Sequence, residues 1–170
     1  NTTANYNIAV GANAVHSNTT GDKNIAIGVD SLYSNTTTNN NVALGFSALK
    51  FNTANYNTAI GSEAFLANTT GTQNVAVGFM AGRFNTTASN NTASGFYALR
   101  NNTTGSQNTA HGGSALNNNT TGAYNTATGF KSLYSNTTGS SNTASGYRAL
   151  YINTTGYVNT ATGMFALYNN

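Results

Sequence analysis

One 17-residue phrase, N-T-T-G-x-x-N-T-A-x-G-x-x-A-L-x-x, recurs ten times and fills the 170-residue chain from end to end. A unit this short cannot bury an apolar face alone, so its copies must stack and cover one another. The copies begin at Asn1, Asn18, Asn35, Asn52, Asn68, Asn85, Asn102, Asn119, Asn136 and Asn153, and the fourth is one residue short. Repeat positions 7, 9 and 11 are Asn, Ala and Gly in every copy. Position 14 is Ala in eight copies, with Ser31 and Ser132 in the others, and position 15 is Leu in seven, with Val15, Phe65 and Gly82 as exceptions. Columns so small or apolar read as an interior. Position 13 instead includes Asp30, Glu63, Met80, Tyr97, Lys131 and Phe165, the scatter of a site facing solvent.

No column repeats every 3.6 residues, which excludes an amphipathic helix, and only 5% of residues are charged. Thr, Tyr, Phe, Val and Ile suit strands, while Asn and Gly suit the turns between them. The hairpin dipeptide Asn-Gly is absent, so a stack of ordinary hairpins is disfavoured. What remains is an all-β parallel β-solenoid of ten rungs, one array over residues 1–170, in which each repeat pairs with the repeats above and below. Seventeen residues give a contour of roughly 56 Å at about 3.3 Å each. This accommodates two strands, expected at repeat positions 7–11 and 13–16, with the Asn7 column at a bend where its amides stack into a ladder.

Alternation along the first strand turns positions 7, 9 and 11 to one face and positions 8 and 10 to the other. The second face changes along the chain. It carries Ile8, Val10, Ile25, Ile27, Val42, Leu44, Ile60, Val75 and Val77 in the first five copies, and Thr, Ser or His in the last five. An apolar stripe outside a coil already lined by Ala and Leu calls for a partner, most simply another copy of the same chain.

The phrases Asn24-Ile25-Ala26-Ile27-Gly28 and Asn74-Val75-Ala76-Val77-Gly78 resemble repeats in the heads of trimeric autotransporter adhesins. The N-T-A-x-G-x-x-A-L core is also similar to repeats of phage tail-fibre and related surface-fibre proteins. That resemblance covers all ten copies and implies a left-handed parallel β-roll, three chains around a common axis, and binding to host-surface glycans or extracellular matrix. It also implies an extracellular place, on a cell surface or virion. The family repeat is usually shorter, and the Asn-Thr-Thr segment here looks like a lengthened turn. The array reads as a window of a longer fibre, with no membrane insertion in this segment.

Nine copies open with N-T-T, an N-glycosylation acceptor sequence, at Asn1, Asn18, Asn35, Asn68, Asn85, Asn102, Asn119, Asn136 and Asn153. Two readings stand side by side. Glycans could line one edge of a single-chain filament, or the Asn and Thr side chains could bond their own backbone and stack unmodified. Tyr33, Tyr134, Tyr151 and Tyr168 share position 16 with Lys50, Arg83 and Arg100, a strip able to stack on sugars or meet anionic polymers. Regular Thr rows raise ice binding as a further, weaker reading, and the Asn-rich composition raises a disordered, amyloid-forming chain. The second is opposed by columns kept strictly in register.

Catalytic chemistry is sparse. The acids are Asp22, Asp30 and Glu63, the histidines His16 and His111 lie in different columns, and Cys is absent. No nucleophile and base pair, metal-ligand set or cofactor motif is legible, so the chain reads as a non-enzyme without cofactor. His111 sits on the stripe, where three copies around an axis could hold an ion. Six cations over ten rungs are too sparse to indicate nucleic acid.

Overall fold

The computed structural model describes residues 3–170 and forms one ten-stranded parallel sheet, with one strand per repeat from β1 (Ile8–Val10) to β10 (Thr160–Thr162). Strands stack in chain order with position 8 on position 8, as in Thr109 on Thr126 and Ala110 on Ala127. The chain is an all-β parallel solenoid of 17-residue rungs. Each strand spans only positions 8–10, and the invariant Gly at position 11 ends it with φ between 119° and 138°.

The second strand expected at positions 13–16 does not form, and the chain makes consecutive turns instead. In the third rung, Ala48 N–H bonds to Gly45 C=O at 3.3 Å, Lys50 to Ser47 at 3.3 Å, and Asn52 to Leu49 at 3.1 Å. Ser47 and Leu49 have φ of 53° and 51°, so each of the first two turns places a left-handed residue third, the type II pattern. All ten residues at position 13, all ten at position 6 and all ten at position 15, Gly82 included, have positive φ. For a Leu this conformation costs about 1–2 kcal/mol, which burial of its side chain, about 1.5–3 kcal/mol, offsets. The physical reason is thickness. Two packed sheets stand about 10 Å apart, more than facing rows of Ala can fill, whereas a turn brings Leu straight inward onto the strand's Ala.

Backbone bonds then tie each rung to both neighbours. Thr109 N–H bonds to Asn125 C=O of the next rung at 2.8 Å, and Gly112 to Ser94 of the preceding one at 2.8 Å. Leu116 reaches forward to Ser132 at 3.0 Å, and Ser114 back to Phe96 at 2.8 Å. The core is a continuous rod of position-9 Ala, position-14 Ala or Ser, and position-15 Leu, with Phe65 filling the Leu place in the fourth rung. Below it, Gly82 stands at that position, and a Cβ there would meet the Phe65 ring. The large and small residues complement each other across the two rungs. The missing residue of the fourth rung is absorbed in its Asn-Thr-Ala turn, where Asn52 Nδ2 bonds to Ala54 C=O at 2.7 Å, so its strand stays in register with both neighbours.

Rung spacing is limited at position 11. A Cβ on Gly112 would lie 2.7 Å from the carbonyl carbon and oxygen of Gly129, while one on Gly163, in the last rung, would find nothing nearer than 4.0 Å. Both have positive φ. Gly163→Ala is therefore expected to show backbone strain alone, about 1–3 kcal/mol, and Gly112→Ala a further loss of about 1–3 kcal/mol from overpacking. Chemical denaturation of the two variants checks the difference; equal losses would mean that rung contact does not set the glycine requirement.

Candidate functional site

Two columns of asparagine run along the rod, one at repeat position 1 buried from Asn18 to Asn153 and one at position 7 buried from Asn24 to Asn142. In the position-1 column, Nδ2 donates to the Oδ1 of the rung before and to the position-4 carbonyl of its own turn. Asn119 does so to Asn102 at 2.8 Å and to Gly122 at 2.8 Å, and Asn136 to Asn119 at 2.8 Å and Gly139 at 2.9 Å. In the position-7 column, Oδ1 accepts the next rung's backbone N–H, as Asn108 does from Asn125 at 2.9 Å, while Nδ2 donates to a position-4 carbonyl, Gly122, at 2.9 Å. A primary amide has donors and acceptors enough for both directions, which no hydroxyl or carboxylate provides. Among the described residues the position-1 ladder is interrupted once, at the short rung, where Asn35 Oδ1 takes the Thr38 hydroxyl instead.

These columns bear on the N-T-T acceptor sequences. Asn18, Asn35, Asn68, Asn85, Asn102, Asn119, Asn136 and Asn153 are each 2% exposed or less, and each uses its Nδ2 within the turn. Asn1 lies outside the described residues. A glycan is carried on that same nitrogen, so the folded rung has no room for one at these positions.

The outer sheet face is open. Ile8, Val10, Ile27, Leu44, Ile60, Val75 and Val77 are 37% to 56% exposed, while Ile25 and Val42 are half-buried and the Ala between each pair from Ala26 onward is buried. Position 12, just past the glycine, extends the apolar surface with exposed Val29, Phe46 and Phe79. Sequence alternation missed this column because the position-11 glycine before each, Gly28, Gly45 and Gly78, breaks the strand with positive φ. From the sixth rung on, the same face shows Thr92, Thr109, Thr126, Thr143 and Thr160 in register, with exposed His111 between Ser94 and Thr128.

Beside that face runs an aromatic edge. Tyr134, Tyr151 and Tyr168 form a near-parallel stack with centroids 5.2 and 5.0 Å apart, and His16 stacks on Tyr33 at 4.9 Å. Their faces are turned on one another along the rod. The four tyrosines expected to stack on sugars thus fall into two groups, Tyr33 in the second rung and the other three in rungs 8–10, and in the stack the ring edges remain. Cations lie over the rings: Lys131 Nζ is 5.4 Å from the Phe130 ring and 5.3 Å from Tyr134, and the Arg148 guanidinium is 5.2 Å from Tyr147 and 5.3 Å from Tyr151.

Among the described residues two ion pairs form, Lys50 with Asp30 at 2.9 Å and Arg83 with Glu63 at 2.5 Å. A hydrogen bond from Asn13 Nδ2 at 3.0 Å, then that from Lys50, holds the Asp30 carboxyl below the usual carboxylate range. Among the described residues there is no pocket, no cluster of three or more metal-ligating side chains, and no helix long and apolar enough to cross a membrane.

Two measurements follow. Because the Asp30 pKa is lower folded than unfolded, its stabilising contribution is complete above the unfolded value near 3.9 and is lost as pH falls through the folded one. Asp30→Asn should lower the thermal midpoint at neutral pH, and the gap from the parent should close in acid. Separately, the array expressed through a glycosylating secretory pathway should have the intact mass of the bare polypeptide; sugar on Asn102 or Asn119 of the folded chain would contradict the burial of their amides.

The chain matches no known family model, and neither the characterised proteins nor the solved structures searched include one similar to it.

Proposed function

We propose that this array is a structural and adhesive segment of an extracellular fibre, on a cell surface or virion, acting as a rigid stalk or head. Copies of the chain associate through the outer sheet face, three around a common axis and with left-handed winding, as the resemblance to adhesin heads implies. The observation that carries the reading is the in-register aliphatic face of rungs 1–5, left uncovered on a coil whose interior is already full. A surface with a knob every rung, about 4.8 Å apart, meshes over several rungs only with a surface of the same period. Another copy of the chain supplies one. The rod of ten rungs, about 48 Å long at that spacing, then acts as a spacer and a contact surface. Low charge and the lack of Cys suit a place where stability rests on hydrogen bonds and thiol chemistry is not needed.

The test is the mass of the native particle by light scattering, with symmetry analysis of the fibre by electron microscopy. Three chains with Ile27 and Val77 facing the axis are expected. Converting rungs 2 and 5 to the pattern of rung 8, with Ile25→Thr, Ile27→Thr, Val75→Thr and Val77→Thr, should give a monomer with unchanged circular dichroism. A parent chain that stays monomeric at high concentration would overturn the assembly.

A further inference from the structure

All three acids of the chain lie in rungs 2 and 4, and no acidic residue occurs after Glu63. Lys131 and Arg148 occupy the same position, 13, in rungs 8 and 9. Their backbones are therefore one rung apart, about 4.8 Å, and Glu63 is four rungs from Lys131, about 19 Å by the same spacing, and five from Arg148, well beyond the screening length of about 8 Å at physiological salt. Two like charges side by side repel, and nothing within the chain offsets them. Each is held in place by aromatic rings of its own rung, Phe130 and Tyr134 for Lys131, Tyr147 and Tyr151 for Arg148. Arg148 Nε is buried without a hydrogen-bond partner.

We infer that this edge of rungs 8 and 9 binds a linear acidic polysaccharide, its carboxylate or sulfate groups running along the rod past Lys131 and Arg148. The inference rests on the adhesive reading above and names the ligand class for it. Three observations select an acidic glycan. The two cations lie on adjacent rungs along the axis, which suits a polymer with successive negative charges. Flanking rings restrict both side chains, so less freedom is lost when they meet the ligand. Stacking of Tyr134, Tyr151 and Tyr168 on one another covers the facing sides of these rings, which reduces the ring surface open to a neutral sugar or a nucleobase and shifts recognition toward charge.

Binding is measured by calorimetry with a heparin-derived sulfated oligosaccharide, a polyuronate, neutral dextran and single-stranded DNA. Both acidic glycans are expected to bind in a salt-dependent way and dextran not at all. Arg148→Gln should weaken binding about tenfold, the loss of one charge-assisted contact, while Lys23→Gln, which removes the same charge from rung 2, should leave it unchanged. Circular dichroism confirms that both variants keep the fold. Equal weakening by the two variants, or tighter binding of DNA than of either glycan, would overturn the inference. Binding of dextran that ignores Arg148→Gln would overturn the acidic class and leave adhesion standing; no binding to any of the three glycans would overturn the inference, while the fibre reading stands or falls on the native mass.

Discussion

Everything in this molecule depends on rungs stacking in register, and the buried asparagine amides are what make any other register costly. An Asn at position 1 or 7 is enclosed by its own turn and by the neighbouring rungs, and its partners, the Oδ1 of the adjacent position-1 Asn or the backbone N–H of the adjacent position-7 residue, come within reach only when the rungs stack in register. Sliding one rung by a single residue would leave buried donors and acceptors unpaired, at about 1–3 kcal/mol each. The Ala and Leu rod gives cohesion, but apolar contact alone is indifferent to small shifts. The amides supply the direction and the register.

The same arrangement explains how freely the outside varies. Once two Asn columns, an Ala column and a Leu column have closed the rung, positions 8, 10, 12, 13 and 16 are released to carry surface character. They do so by region: an aliphatic face in rungs 1–5, a hydroxyl face in rungs 6–10, and a cationic aromatic edge in rungs 8 and 9. Function in such a molecule is written along a surface. A rung contains too few residues to enclose a cavity, and its interior is filled by Ala, Leu and amides.

Burial changes the meaning of two sequence signals. N-x-T in a turn is an acceptor for sugar when the Asn side chain faces solvent, yet here the nitrogen points into the turn and donates to its carbonyl. A column of Tyr suggests a sugar platform when the rings lie flat on a surface. With one ring per rung in register, the rings of Tyr134, Tyr151 and Tyr168 lie on each other, while Lys131 and Arg148 lie over aromatic rings of their own rungs.

The repeat by itself determined the solenoid, its ten rungs, the parallel pairing, the inward Ala, the outward stripe and the Asn ladder at position 7. Period and column identity are properties of the chain, and stacking identical units leaves few ways to satisfy them. Tertiary structure alone decided the other side of the rung. Positions 6, 13 and 15 adopt left-handed backbone with Lys23, Met80, Tyr97 or Leu116 in place, residues with no local preference for it. Turn chemistry could not reveal these sites, because bonds from the rungs above and below, together with burial of Leu, impose the conformation. The second amide ladder was open between two readings for the same reason. Whether an Asn-Thr-Thr side chain faces water or a neighbouring rung depends on where the turn folds back, and that is set by packing between rungs.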